Sequence, residues 1–376
     1  MKIAFMGIRG IPASYSGFET FVEGLSIRLA IKGHDVTVYN RSTHVKYREP
    51  LYRGVKLVRL PTIPTKHLDT ITHTFLSVLH GIFKGYDIVY ICGVGNSLPS
   101  FLLRLAGTKV VLNVDGADWE RKKWGWFARW FLRASERMAT VFPDVVNADS
   151  LAVKRYYKEH YNKESIFIPY GTDLDQRTPG DREVLGKYGV EPDGFILYVG
   201  RLVPENNAHQ LIKAYKKIAT EKRLVIVGDA PYAGAYKAEL KDSAAGDPRI
   251  VFTGYVFGDD YKCLMRNAYI YVLASEVGGT HPVLIEALAA GNAVIINNIP
   301  SSLEVVGDAG IAYDGKKGAD SLVDILTTLL ANKELHESLR QKARDRIRAS
   351  YLWGKVTDDF IGLFKSLVNR SGVENL

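Results

Sequence analysis

Cysteine is nearly absent. The 376 residues include two, Cys92 and Cys263, far apart and each inside an apolar run. That excludes a disulfide scaffold and a cysteine metal cluster, and it fits buried thiols in a reducing compartment. No run of about eighteen apolar residues occurs, so no transmembrane helix is expected. The opening MKIAFMGIRG has one lysine before a short apolar stretch and reads as a buried strand, not a signal peptide. The expected location is therefore the cytoplasm. Low-complexity tracts are missing too. What is present is the composition of a folded protein, 47% hydrophobic and 24% charged. The length exceeds one ordinary core, so two domains are expected. A formal charge of +8 favours anionic partners: nucleotide phosphates, acidic lipid headgroups or nucleic acid. No RNA- or DNA-binding motif accompanies the charge, and no nucleic-acid partner is expected.

Short β-branched runs alternate with longer helical patterns. KIAFMGI (2–8), DVTVYN (35–40), VKLVRL (55–60), DIVYIC (87–92), KVVLNV (109–114), PDVVNA (143–148) and SIFIP (165–169) read as strands. Between them, spacings such as Phe18, Phe21, Val22, Leu25 and Leu29 read as helix, the βαβ signature of a parallel sheet. A second series follows: GFILYVG (194–200), RLVIVG (223–228), IVFTGY (250–255), YIYVLA (269–274), AVIINN (293–298) and GIAYD (310–314). The Gly- and Pro-rich stretch 170–193 looks like the join. The pattern predicts two doubly wound α/β domains, 1–178 and 179–351, with a terminal helix at 352–376 returning to the first. Ligands of such sheets bind beyond the carboxyl ends of the strands, and a cleft between two facing domains is the expected site.

GIRGIPASYSGFETF (7–21) stands where the first strand should turn into the first helix. Gly7, Gly10 and Gly17 permit close backbone approach, Pro12 stiffens the loop and Arg9 adds a guanidinium. A helix N-terminus there would favour an anion. The spacing is not that of a dinucleotide fingerprint, and YNRS, not an acid, ends the second strand; Arg41 is the residue that could meet a 2′-phosphate. In the second half, YVGRLVPENN (198–207) puts Arg201 at a strand end, where a guanidinium can pair two phosphate oxygens or simply cap a sheet edge. SEVGGTHPVLIEALAAG (275–291) opens a helix near Pro282. Glu286, one turn in, could accept two hydroxyls of a ribose or serve as a capping carboxylate.

Taken in order, GIRGIPASYSGFET (7–20), NVDGADWERKKW (113–124), ADS (148–150), IPYG (168–171), GRLVPENN (200–207) and GGTHPVLIEA (278–287) resemble the retaining glycosyltransferases of family four. More narrowly they resemble a bacterial rhamnosyltransferase-like branch, and the likeness covers nearly the whole chain. It implies the GT-B fold, two Rossmann-like domains facing across a cleft. It also implies a nucleoside-diphosphate sugar, dTDP-rhamnose in the leading reading, as donor. The acceptor would be a glycan or lipid-linked sugar of cell-surface polysaccharide synthesis. By resemblance Arg201 binds the donor diphosphate, Glu286 the ribose, Tyr255 and Val256 the base, and Gly278, Gly279 and Thr280 the phosphate and sugar. Gly10, Tyr15, Ser16 and Gly17 approach donor and acceptor. Arg9, Trp119 and Arg121 fall on the acceptor side.

The chain departs from the wider family at three places. The first glutamate of the E-x7-E motif falls on Gly278, a lysine is replaced by Asn206, and Ser16 stands where the branch has glycine. The first two put the usual sugar contacts in doubt and fit a 6-deoxyhexose. A UDP- or GDP-hexose donor, or a non-catalytic binding role, is the alternative.

Asp115 and Asp118 follow a strand, and Asp115 is the better candidate to orient a hydroxyl. No carboxylate nucleophile stands out for double displacement, and resemblance favours a front-side route. The D-x-D of TDLDQ (172–176) reads as a turn, so no obligatory metal and no cofactor is expected. WERKKWGWFARWFLR (119–133) carries four of the five tryptophans. Trp126, Phe127, Trp130 and Phe131 share a helical face, with Lys122, Arg129 and Arg133 elsewhere. Peripheral contact with an anionic membrane is one reading and an ordinary core-facing helix the other.

Overall fold

The computed structural model describes residues 1–14, 17–65, 68–116, 119, 125–230 and 233–373. It divides into two compact units, Met1–Gly171 with Trp353–Leu376, and Thr172–Leu352.

In the first unit the strands are β1 (Lys2–Met6), β2 (Asp35–Arg41), β3 (Leu51–Tyr52), β4 (Val55–Leu60), β5 (Ile88–Cys92), β6 (Lys109–Val114), β7 (Val145–Ala148) and β8 (Ile166–Phe167). The helices are α1 (Gly17–Ile31), α2 (Leu68–Gly81), α3 (Ser100–Leu105), α4 (Trp126–Ala139) and α5 (Leu151–Tyr161). The sheet order is β3-β4-β2-β1-β5-β6-β7-β8. All neighbours are parallel except the short edge strand β3, which the sequence pattern does not predict.

Strand alternation sorts the core. Ala4, Met6, Val89 and Ile91 pack with Val78, Leu103, Leu132 and Tyr157 of α2 to α5. On the opposite face Tyr90 meets the rings of Phe5 and Phe21 at a tilt and that of Phe360 edge-on.

The second unit has β9 (Phe195–Val199), β10 (Arg223–Val227), β11 (Ile250–Gly254), β12 (Ile270–Leu273), β13 (Ala293–Asn297) and β14 (Gly310–Tyr313) in the order β11-β10-β9-β12-β13-β14. All are parallel. Its helices are α6 (Asp181–Gly186), α7 (Ala208–Tyr215), α8 (Gly234–Ala244), α9 (Gly258–Asn267), α10 (Pro282–Ala289), α11 (Pro300–Val306), α12 (Ala319–Ala331) and α13 (Lys333–Ser350). The last helix, α14 (Trp353–Val373), lies in the first unit against α1. There Trp353 fills the space that Gly24 and Gly171 leave. A Cβ on either glycine would come within 2.3 and 2.4 Å of its ring.

The division falls at 171/172, not near 178, because hydrogen bonds tie residues 172–181 into the second unit. Thr172 N–H donates to the Tyr351 carbonyl (2.8 Å). Arg177 Nη1 pairs with Asp193 (2.8 Å). Asp181, buried at the start of α6, accepts from Arg266 Nε (2.9 Å) and Asn267 Nδ2 (2.7 Å). Those donors, Arg266 foremost, hold its carboxyl well below the usual carboxylate range. Glycine and proline mark 170–193 as a loop, but long-range partners decide its allegiance.

Candidate functional site

In the first unit β1 continues to β2 on one side while β5 lies on the other, so the chain reverses direction between β1 and β5. In the second the same reversal lies between β9 and β12. Open parallel sheets hold ligands beyond the carboxyl ends at such switch points. The loops that follow β1, β9 and β12 carry most of the residues singled out in the sequence.

In the loop after β1, three amides turn inward to side chains of the same unit. Arg9 N–H donates to Glu19 Oε1 (2.9 Å), Ile11 N–H to Asn40 Oδ1 (3.0 Å) and Ala13 N–H to Glu23 Oε2 (2.5 Å). Gly10 is buried, with φ +129°, and a Cβ there would come within 2.3 Å of Asn40 Oδ1. The missing side chain makes room for Asn40. Sequence reasoning missed Glu19, Glu23 and Asn40; two acids spaced one turn apart at the start of a helix were the available signal. Gly17 is the first residue of α1 and half-buried. Arg41, weighed against a 2′-phosphate, is buried and paired with Asp69 (2.6 Å) and Thr70 (3.1 Å). Tyr15, Ser16, Asp118 and Arg121 lie outside the described residues, as do Lys122 and Trp124.

Arg9 is half-buried near Arg41 and His44. Asp115 is half-buried just past β6. Trp119 is engaged by its own unit: its Nε1–H donates to Tyr156 (3.3 Å), and Arg133 covers its ring at 3.9 Å.

In the second unit Arg201 is half-buried immediately beyond β9. Its backbone is strapped to the continuation of β10, through Gly200 N–H to the Val227 carbonyl (3.0 Å) and Leu202 N–H to the Asp229 carbonyl (3.4 Å). Gly228 makes the approach possible. Its φ is +135° and a Cβ on it would lie 1.9 Å from the Gly200 carbonyl oxygen. Asn206, which the sequence places among the donor-binding residues in the position of the family's lysine, has partners within its own unit. Its Nδ2 donates to the Arg201 carbonyl (2.8 Å), and its Oδ1 accepts from Ser275 (3.2 Å). The amide braces the loop that carries Arg201 and joins it to the loop after β12, with one N–H and one oxygen lone pair left over.

Gly278, with φ +140°, abuts the His281 ring, and its carbonyl accepts from Ser301 (2.8 Å). Gly279 and Thr280 are buried beside it. Helix α10 then opens on Pro282 without a side-chain cap, leaving the positive end of its dipole at the same strand ends as Arg201.

On α10, Glu286 accepts from the Tyr261 hydroxyl through Oε2, a partner that sequence reasoning missed. Among the described residues no donor serves Oε1. Burial pushes the Glu286 carboxyl up to about 6, with the Tyr261 hydrogen bond opposing. Burial, then the Glu286 charge, keeps Tyr261 a protonated donor. Past β11, Tyr255 and Phe257 stack at 5.7 Å and are exposed, with Val256 half-buried between them. Among the described residues no group of three or more His, Cys, Asp or Glu is gathered to hold a metal, and no helix is long and apolar enough to cross a membrane.

Residues 182–346 match the model of the family "Glycosyl transferases group 1". That group 1 match lies wholly within the second unit. Residues 75–173, in the first, match a domain of unknown function, DUF1972. The O-antigen chain mannosyltransferase B of Escherichia coli is 28% identical over 204 residues, 52% of this chain and 52% of that one. The chain thus spans about half the length of the curated relatives it matches. Sucrose-phosphate synthase of Thermosynechococcus elongatus superposes with a TM-score of 0.82 at 19% identity, covering 98% of this chain and 99% of its own. HepE of Anabaena, in complex with UDP-glucose, superposes with a TM-score of 0.79 at 18% identity, covering 97% and 100%. The fold is GT-B, α/β with two parallel-sheet units.

Proposed function

We propose that this protein is a retaining glycosyltransferase of cell-surface polysaccharide synthesis. It moves a sugar, rhamnose from dTDP-rhamnose in the leading reading, from a nucleoside-diphosphate donor to a glycan or lipid-linked acceptor. The observation that carries the reading is the placement of Arg201 in the loop after β9 and of the uncapped start of α10 in the loop after β12, on either side of the switch point of the group 1 unit, the two loops being joined through Asn206 and Ser275, with Glu286 following on α10. Arg201 and the amides around Gly279 and Thr280 hold the diphosphate, Oε1 of Glu286 takes the ribose hydroxyls, and Tyr255 and Val256 meet the base. Gly278 adjoins the sugar. Gly10, Ser16 and Gly17 approach the donor, Asp115 orients a hydroxyl of the acceptor or the sugar, and Arg9, Tyr15, Trp119 and Arg121 belong to the acceptor side.

The chemistry is governed by charge. As the bond from the anomeric carbon to the diphosphate oxygen breaks, the diphosphate gains negative charge and the carbon becomes cationic. A guanidinium and oriented amides stabilise that charge most in a site that excludes water. The acceptor oxygen bonds to the anomeric carbon from the face the diphosphate leaves, and its proton passes to a departing phosphate oxygen. In this reading the guanidinium and amides supply the positive charge and no metal is required.

A UDP- or GDP-hexose donor is the second reading, supported by the named mannosyltransferase and the UDP-glucose complex among the similar proteins. A thermal-shift screen of nucleotide sugars separates the two, because a ligand that prefers the folded state raises its melting temperature. dTDP-rhamnose is expected to give the largest shift. A larger shift with UDP- or GDP-hexose selects the second reading, and no shift with any of them, with no transfer of labelled sugar, removes both. The protein would work on the cytoplasmic side of the membrane, in peripheral contact with it.

Glu286 also makes the donor step pH-dependent. Its carboxyl, raised to about 6, is charged above that pH and protonated below. Affinity for a nucleotide sugar, whose diphosphate diester does not titrate in this range, is expected to fall several-fold as pH drops from about 7.5 to about 5. Glu286→Gln should bind weakly and flatten the profile. A wild-type profile that is already flat would separate Glu286 from the ribose.

A further inference from the structure

Helix α2 is built inside out. Its buried side carries His73, Thr74, Ser77, Val78 and Gly81, mostly polar or small. Its outer side carries Ile71, Phe75, Leu76 and Leu79, all exposed, and Phe83 just beyond is 84% exposed. An ordinary surface helix shows the reverse arrangement. The anomaly continues onto its neighbours. Helices α2, α3 and α4 pack on the same face of the first sheet. α3 adds exposed Phe101 and Leu105, and α4 adds Trp126, Phe127 and Trp130. Among the described residues, thirteen of the twenty exposed large hydrophobic side chains lie between residues 68 and 141, and three lie in the second unit. A patch of this extent marks an interaction surface.

Charge names the partner. The same layer exposes Lys84, Arg104, Arg129, Arg133 and Arg137. Its carboxylates are withdrawn: Asp69 pairs with Arg41, and Glu136, fully buried, accepts from Tyr156 (3.0 Å) and Tyr161 (2.6 Å). Apolar and aromatic side chains ringed by cations, with no exposed acid on the three helices, fit the interface of an anionic bilayer.

We infer that the first unit docks on anionic lipid through the combined outer face of α2, α3 and α4, with α2 and Phe83 as an anchor that the aromatic helix α4 alone does not supply. This deepens the membrane contact proposed above and does not depend on the donor.

The test is flotation of the full chain with vesicles of phosphatidylglycerol and phosphatidylethanolamine, and with phosphatidylcholine alone. Wild type should float with the anionic vesicles, less so at high salt, and not with phosphatidylcholine. The double variants F75S/F83S and W126S/W130S should each bind at least roughly tenfold more weakly, with unchanged melting temperature and unchanged nucleotide-sugar binding. Wild-type binding by F75S/F83S would overturn the role of α2. Failure of the wild type to float would overturn the surface as a lipid site. So would a wild-type dimer in sedimentation that F75S/F83S converts to monomer, which would assign the face to a second copy. Vesicle binding without sugar transfer from any donor would leave this surface standing while removing the enzymatic reading.

Discussion

Replacing Arg201 with alanine is expected to lower the rate of sugar transfer by roughly 100- to 1000-fold, the usual cost of removing a preorganised donor to developing charge. The loss should fall mainly on kcat, because the guanidinium faces most charge as the diphosphate departs. The fold should survive. Arg201 is held through its backbone, by the rungs at Gly200 and Leu202 and by Asn206 on its carbonyl, and none of these uses the side chain removed. Arg201→Lys is expected to recover part of the rate, since a point charge replaces a fork that can grip two oxygens. Labelled-donor transfer beside a melting curve checks both statements. Full activity in Arg201→Ala would place the diphosphate elsewhere.

Gly228→Ala is expected to cost about 3 kcal/mol or more, and with it most activity. Two penalties coincide: a φ of +135° that L-residues rarely adopt, and a Cβ 1.9 Å from the Gly200 carbonyl oxygen, a backbone atom that cannot swing aside. Any relief must move the Gly200–Leu202 segment, which displaces Arg201. Gly234→Ala is the matched control. It opens α8, has no positive φ and would meet nothing within 4 Å, so its effect should stay within about 0.5 kcal/mol. Chemical denaturation of the two variants should differ accordingly. A Gly228→Ala midpoint equal to wild type would mean that the loop is not held as described.

The strands were legible because parallel-sheet strands buried on both faces read as continuous apolar runs. Val55–Leu60 and Lys109–Val114 coincide with the runs read from sequence, and the others begin and end within two residues of them. The two-residue β3 was invisible because nothing in LY departs from loop composition. The start of α10 was legible from Pro282, and Glu286 from its isolation on an apolar helix. What the sequence could not show is how side chains spend their hydrogen bonds. Asn40, Glu19 and Glu23 close the first loop from ten or more residues away. Asn206 and Tyr261 are committed by tertiary contacts that no local pattern announces. The apolar outer side of α2 was there to be read, yet amphipathic spacing gives a stripe without saying which way it faces. Its buried His73 and Thr74 reversed the usual assignment.

The most direct test of the central claim is a crystal structure of the protein with a nucleoside-diphosphate sugar. The diphosphate should lie within hydrogen-bond distance of the Arg201 guanidinium and of amides at the start of α10, with a ribose hydroxyl on Glu286 Oε1. A diphosphate held instead by the lysine-rich rim of α7 and the 315–318 loop, where Lys213, Lys216, Lys316 and Lys317 gather, would contradict it.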